Sequence, residues 1–276
     1  MIRKILIFLN QLLIIFNSSI LILIMILSMT IGNKKYILSM LDKTNYYKEI
    51  YYDSISFIEG ETIQLGLEKN QIQKIITEKQ VEKDIRNLIN CIYDNKELEI
   101  NKESLSLNLE NLIQEKLKEN NRVATEEELT AIKNLKNQIE SGYENKIIYS
   151  KKYILKIRNY YHKMMQYSNK IIFLLFSLEL FLISLLLFLN KKLTKFNKEL
   201  GISFLSVSFL IFLVKILIQH KFQRISIFSR IFSKLVIAII NSLFQYLLII
   251  GGILGIIGLM MIIIGVVGNY PKKKRG

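Results

Sequence analysis

Two charged side chains lie inside long apolar stretches, where ionisable groups are rare. Glu179 is the one acid between Ile171 and Asn190, and Lys215 is the one charged residue between Ile202 and Gln219. A charge at the centre of a membrane-spanning helix costs about 2.5 to 3.5 kcal/mol on insertion scales, so such a residue needs a partner. We therefore predict an intramembrane ion pair between Glu179 and Lys215 that holds two helices together.

A stripe of small residues occupies the last apolar stretch. At helical spacing one face carries four glycines, which include a G-x-x-x-G motif: Gly251, Gly255, Gly258 and Gly265. Glycines on one face allow the backbone of another helix to approach closely. The stripe predicts helix packing within the chain, and the alternative is dimerisation through it, which would make the protein a homo-oligomer.

The sequence lacks the patterns that usually mark catalysis. It has no phosphate-binding glycine loop, no H-E-x-x-H and no G-x-S-x-G, and its two histidines and one cysteine cannot build a self-contained zinc site. We predict no catalytic, cofactor-binding or metal site, and no enzyme activity.

The apolar stretches themselves predict the architecture. Each contains at least the roughly 18 residues that cross about 30 Å of hydrocarbon. We predict an all-α integral membrane protein with four transmembrane helices, at residues 1–32, 169–190, 201–219 and 245–268. In the first, the apolar run begins after Arg3 and Lys4 and ends without a small-x-small cleavage site, so we interpret this segment as an uncleaved signal anchor.

Residues 33–168, between the first two spans, form the predicted outer domain. They contain no proline and three glycines, so we expect helices, with one short strand or extended linker at residues 96–101. The patterns TEKQ (Thr77–Gln80) and TEEE (Thr125–Glu128) are typical of capping boxes. We expect the helix after Thr125 to continue nearly unbroken into the second span.

The charge distribution predicts orientation rather than a nucleic-acid partner. The formal net charge is +15, but residues 33–168 hold 22 basic and 21 acidic residues, which leaves 16 basic and 2 acidic residues around the spans. This excess suits membrane lipids. With the N-terminus inside, the N-terminal segment, the loop 191–200 and the tail 269–276 carry ten cytoplasmic positive charges, against four in the short outer loop. We predict a multi-pass protein of the bacterial plasma membrane with both termini cytoplasmic and residues 33–168 extracytoplasmic.

The basic outer loop needs its own explanation. Residues 220–244 carry basic and polar residues on one arc, including Arg230 and Lys234, and apolar residues opposite, including Phe228 and Phe232. This pattern predicts an amphipathic helix in the lipid interface, and a plain basic connector is the alternative.

A resemblance adds to this interpretation. The runs NYYKEIYYDSISFIEGETIQLGLEKN, ITEKQVEKDIRNLINCIYDNKELEIN and TEEELTAIKNLKNQIESGYENKI resemble a family of uncharacterised four-span membrane proteins of low-G+C Gram-positive bacteria with an extracytoplasmic helical domain. The resemblance implies topology and no chemistry. We expect a non-enzymatic accessory or signalling subunit whose outer domain binds or senses a protein partner. The alternative is a permease subunit similar to the MacB/FtsX type, which works with a separate ATPase.

Overall fold

The structure, a computed structural model, describes residues 1–148, 151–222 and 230–268. This part of the chain consists of α-helices, one short 3-10 helix at Ile63–Leu65 and irregular connections, without a strand, and the predicted all-α class is confirmed for it. In chain order the helices are α1 (Ile2–Met29), α2 (Lys34–Lys43), α3 (Tyr46–Glu61), α4 (Lys69–Ile75), α5 (Glu78–Asp94), α6 (Lys102–Glu119), α7 (Glu126–Ile147), α8 (Lys151–Asn190), α9 (Leu193–Phe222) and α10 (Arg230–Val267).

Four helices are long and apolar enough to cross a membrane, which agrees with the predicted number. Their candidate spans are Ile2–Met29, Ile154–Asn190, Leu193–Leu217 and Arg230–Val267. The chain divides into two compact units. We call residues 1–33 and 164–276 the membrane unit, and residues 34–163 the helical domain, whose bounds lie close to the predicted 33–168.

The membrane unit has two buried apolar clusters. One contains Ile14, Leu182, Leu186 and Leu200. The other contains Ile26, Val207, Ile211, Phe244 and Leu247. The α1 residues in these clusters advance in the same direction as their α9 neighbours, so α1 and α9 run parallel, and the two-residue connection after α8 turns the chain back on itself.

The predicted interfacial helix at residues 220–244 is not a separate element. Residues 230–244 belong to the same unbroken helix as the last span, and Phe244 is buried among residues of α1 and α9. No proline or glycine lies between Arg230 and Ile250 to interrupt the helix, and burial of Phe244 favours the bundle over the lipid surface. Residues 223–229, which include Phe228, lie outside the described residues.

The predicted loop at residues 191–200 is also mostly helical. Only Lys191 and Lys192 separate α8 from α9. Lys191 takes the left-handed conformation with φ 55°, as the residue after a helix often does. Residues 193–200 of this loop, which a permease would use to couple to its ATPase, are therefore the first two turns of α9.

The helical domain is organised around a buried carboxylate. Asp84 on α5 is fully buried and accepts hydrogen bonds from the Tyr143 hydroxyl of α7 (2.7 Å) and the Asn101 backbone N–H before α6 (3.2 Å). Burial, together with the charge and hydrogen bond of Asp84, raises the pKa of Tyr143 well above its usual range. Asp84 thus joins three helices through one side chain.

The capping predictions for the domain differ in outcome. At α7 the box is confirmed, since the Thr125 hydroxyl accepts from Glu128 N–H (3.2 Å) and the Glu128 carboxylate accepts from Thr125 N–H (2.9 Å). At α5 only the Thr77 half is present. Residues 95–101 are irregular. The helix that was expected to continue nearly unbroken into the second span is interrupted after Ile147, where Ile148 has an extended backbone, and α8 begins at Lys151.

Candidate functional site

The candidate site is a row of polar contacts between α1 and α8, which we call the polar seam. Arg3, Asn10 and Asn17 lie seven residues apart on α1, and seven residues are close to two helical turns, so all three share one face. Each donates to a backbone carbonyl of α8, and the acceptors also lie seven residues apart: Arg3 Nε to Leu189 O (2.6 Å), Asn10 Nδ2 to Leu182 O (2.9 Å) and Asn17 Nδ2 to Leu175 O (2.9 Å).

The direction of this register identifies α1 and α8 as antiparallel neighbours. The acceptors move towards the start of α8 as the donors move towards the end of α1. Apolar residues occupy the intermediate positions, with Ile14 of α1 packed against Leu182 and Leu186 of α8. The seam therefore has the seven-residue period of coiled-coil packing, with hydrogen bonds at every second layer.

Glu179 lies at the Asn17 end of the seam and is only 8% exposed. Its Oε1 accepts a hydrogen bond from Ser18 Oγ (2.6 Å), and its Oε2 accepts one from Asn17 Nδ2 (2.6 Å). The Asn17 amide has two hydrogens, so it serves both Glu179 and the Leu175 carbonyl. Both carboxylate oxygens thus receive a donor from α1.

The predicted ion pair between Glu179 and Lys215 is not present. Among the ion pairs of the described residues, within 4.0 Å, none joins these two side chains. The reason is axial position: Glu179 lies eleven residues before the end of α8, about 16 Å, whereas Lys215 lies 22 residues after the start of α9, about 33 Å. The difference of about 16 Å exceeds what a lysine side chain can reach.

A second polar contact joins α1 to α9. Gln11 Nε2 donates both to the backbone oxygen of Glu199 (2.9 Å) and to its carboxylate (2.8 Å). Asn10, one residue earlier, is 3% exposed, and its Oδ1 has no hydrogen-bond partner within the described part of the chain. Asn10 and Gln11, consecutive residues of α1, therefore donate hydrogen bonds to two different helices, α8 and α9.

The glycine stripe contacts α9. A Cβ atom added at Gly258 would lie 2.8 Å from the Gly201 backbone oxygen, and one added at Gly255 would lie 2.9 Å from Ser208 Oγ. A Cβ atom added at Gly251 would lie 3.1 Å from the Ile211 side chain, and one added at Gly265 would lie 2.6 Å from the Thr194 backbone oxygen. The stripe is used within the chain, for close packing of α9 on α10.

The remaining predicted site residues lie at the start of α10. Arg230 is exposed and Phe232 is 38% exposed. Lys234 lies one turn after Arg230 on the same helix.

The side chains of the seam are suited to holding α1 and α8 in one register. Its groups are amides, a hydroxyl, a guanidinium and a carboxylate, and in the described ranges no three His, Cys, Asp or Glu side chains come together to hold a metal ion. Its members Asn10, Asn17 and Ser18 were missed by the sequence reasoning, although the seven-residue spacing of Arg3, Asn10 and Asn17 was a readable signal.

Fold and site together define an all-helical protein with four candidate membrane-spanning helices. No family model, curated protein or solved structure matches the chain. The resemblance to the four-span family therefore stays a prediction.

Proposed function

We propose that the chain is a non-enzymatic plasma-membrane protein, an accessory or signalling subunit whose helical domain binds or senses a protein partner outside the cytoplasm. The observation that carries this proposal is the continuity of α8, which begins within the helical domain at Lys151 and ends in the membrane unit at Asn190. A helix that belongs to both units gives a covalent route from domain to span.

The polar seam supports a signalling role because it defines one arrangement of α8. A small rotation of α8 would withdraw Glu179 and the Leu175 carbonyl from Asn17 together, and a slide along the axis would need seven residues, about 10 Å, to restore the register. When α8 lies between two such registers, several of its hydrogen bonds with α1 are lost at once. Such an element has discrete states, which a partner bound to the domain could favour unequally.

The helical domain offers surface for a partner. Val123, between α6 and α7, is 91% exposed, Ile63 is 75% exposed and Leu107 of α6 is 58% exposed. Apolar side chains at these positions gain free energy when a partner covers them. The charge count of ten against four supports an outer location for the domain.

Topology is tested with single cysteines in a Cys91→Ala background. Asn145 on α7 and Lys195 on α9 are both exposed. We expect Asn145→Cys to react with an impermeant maleimide on intact protoplasts and Lys195→Cys to react only after lysis. The reverse pattern would show that the orientation is wrong.

Partner binding is tested by photo-crosslinking in the native host. A photoreactive amino acid at Leu107 or Val123 should yield a discrete product of higher mass, while the same group at Ile253, 53% exposed on α10, serves as the control for non-specific capture. Smears of equal intensity at all three positions, or no product from the domain, would contradict the proposal.

The order of elements favours one second candidate, a permease subunit similar to the MacB/FtsX type. One span, a domain and three further apolar helices follow one another along the chain. This candidate requires a separate ATPase. Co-purification of an ATPase whose hydrolysis rate changes on binding would favour it over the accessory role.

A further inference from the structure

An open cleft of about 500 Å³ lies where α8 ends and α9 begins. Six residues line it: Arg3, Leu187, Phe188, Leu189, Lys191 and Leu193. All belong to the membrane unit. Two of the six are cations and four are apolar, and none is acidic.

Both cations line the cleft, and a backbone carbonyl holds Arg3 there. Arg3 Nε donates to the Leu189 carbonyl at 2.6 Å, which engages one N–H of the guanidinium and leaves the side chain exposed. Lys191 sits in the connection between α8 and α9. In the described part of the membrane unit no carboxylate lies within 4.0 Å of either cation.

The apolar walls of the cleft remain open. Phe188 is 80% exposed, Leu193 is 70% exposed and Leu187 is 45% exposed. These side chains line the same cleft as the two cations. The site therefore offers positive charge beside a hydrocarbon surface, which is the complement of a phosphate joined to an acyl chain.

We propose that this cleft binds an anionic phospholipid, with the phosphate between Arg3 and Lys191 and an acyl chain along Leu187, Phe188 and Leu193. A free phosphate would use the cations and leave the apolar walls uncovered, so the geometry favours the lipid. The site is independent of the accessory role, because it needs no protein partner.

Lipid at this site also acts on the polar seam. Arg3 is both a cleft residue and the first donor of the seam. A bound phosphate draws the guanidinium into a fixed position and so stabilises the register in which Arg3 reaches Leu189.

The absence of tryptophan from the chain makes a direct test possible. Phe188→Trp places a single fluorophore in the cleft, and brominated phospholipids quench it when they occupy the site. The protein is reconstituted as the full chain into vesicles of phosphatidylcholine with increasing brominated phosphatidylglycerol, and separately with brominated phosphatidylcholine. Ile253→Trp on α10, a helix that contributes no lining residue, is the reference fluorophore.

We expect phosphatidylglycerol to be preferred over phosphatidylcholine at Phe188→Trp by up to about 25-fold, since each basic side chain near the surface contributes roughly a factor of five. The preference at Ile253→Trp should be near one. Arg3→Gln and Lys191→Asn should each reduce the preference about fivefold. Asn is chosen because it tolerates the left-handed backbone at Lys191.

The matched control is Lys195→Gln, which removes the same charge from α9 near the cleft without changing a lining residue. It should leave the preference within about twofold of the parent. Equal losses for Lys195→Gln and Lys191→Asn would show general surface attraction and overturn the site. Relief of quenching by millimolar glycerol phosphate would show that the site recognises the phosphate without the acyl chain, which would also overturn the lipid assignment.

Discussion

Asn17→Leu is the sharpest perturbation of the polar seam. The substitution keeps a side chain of similar volume but removes the amide that serves both Glu179 and the Leu175 carbonyl. Hydrogen bonds between membrane helices average about 0.6 kcal/mol, and those to charged groups are worth about 1.5 to 3 kcal/mol. We therefore expect Asn17→Leu to lower the free energy of unfolding by about 2 to 3.5 kcal/mol.

Asn10→Leu is the matched control for this prediction. Asn10 lies on the same face of α1, is buried to a similar extent and makes one hydrogen bond, to the Leu182 carbonyl. The substitution also removes a buried oxygen that has no partner in the described part of the chain. Its cost should stay below about 1 kcal/mol.

The assay is SDS-driven unfolding in mixed micelles, followed by energy transfer between labels on α1 and α8. In a double-mutant cycle, Asn17→Leu with Glu179→Leu should cost at least about 1 kcal/mol less than the sum of the single changes, because no buried carboxylate is left without its donor. Equal costs for Asn10→Leu and Asn17→Leu, together with additive energies, would refute the reasoning. Lys215→Met should be additive with Glu179→Leu.

Three further predictions concern packing and titration. Gly258→Ala should lower the free energy of unfolding by more than about 2 kcal/mol, since its Cβ would lie 2.8 Å from a backbone oxygen of α9, whereas Gly252→Ala, with nothing within 4 Å, should be neutral or stabilising in the same SDS titration. Tyr143→Phe should lower the free energy of unfolding of the domain by about 1 to 3 kcal/mol in thermal unfolding. Asp84→Asn should lower it by less in the Tyr143→Phe background than in the parent, and equal losses in both backgrounds would show that the two side chains do not interact. Burial raises the pKa of Tyr46 to about 12. The stability that Tyr46 contributes to the domain is therefore complete below about pH 10 and is lost as the pH rises to about 12. Tyr46→Phe should flatten this fall in the free energy of unfolding, and identical pH profiles for the variant and the parent would contradict the prediction.

The local features of the fold were readable from single segments. The number of candidate spans follows from apolar length, and the box at Thr125 follows from residue types three positions apart. The helical domain comprises residues 34–163, against the predicted 33–168, and polar and apolar composition change near both ends. Element ends were less predictable, since the breaks after Ile147 and after Asn190 are marked by neither proline nor glycine.

Glu179 shows where sequence reasoning stopped. Its cost in an apolar span correctly predicted that it needs partners, because that cost depends on the residue and its segment alone. The choice of Asn17 and Ser18 over Lys215 depends on the axial height and rotation of helices that meet only after folding. Asn17 and Glu179 are separated by 162 residues along the chain, and no local pattern encodes that distance.

The two ends of the bundle show the same difference between what single segments predict and what the packing of helices decides. Apolar length alone predicted the last span at residues 245–268, but burial of Phe244 among α1 and α9 favours residues 230–244 as a continuation of the same helix. At the opposite end, the charges of Arg3 and Lys191 are plain in the sequence. Their placement in one cleft arises because α1 packs antiparallel to α8, which brings the first turn of one helix beside the last turn of the other.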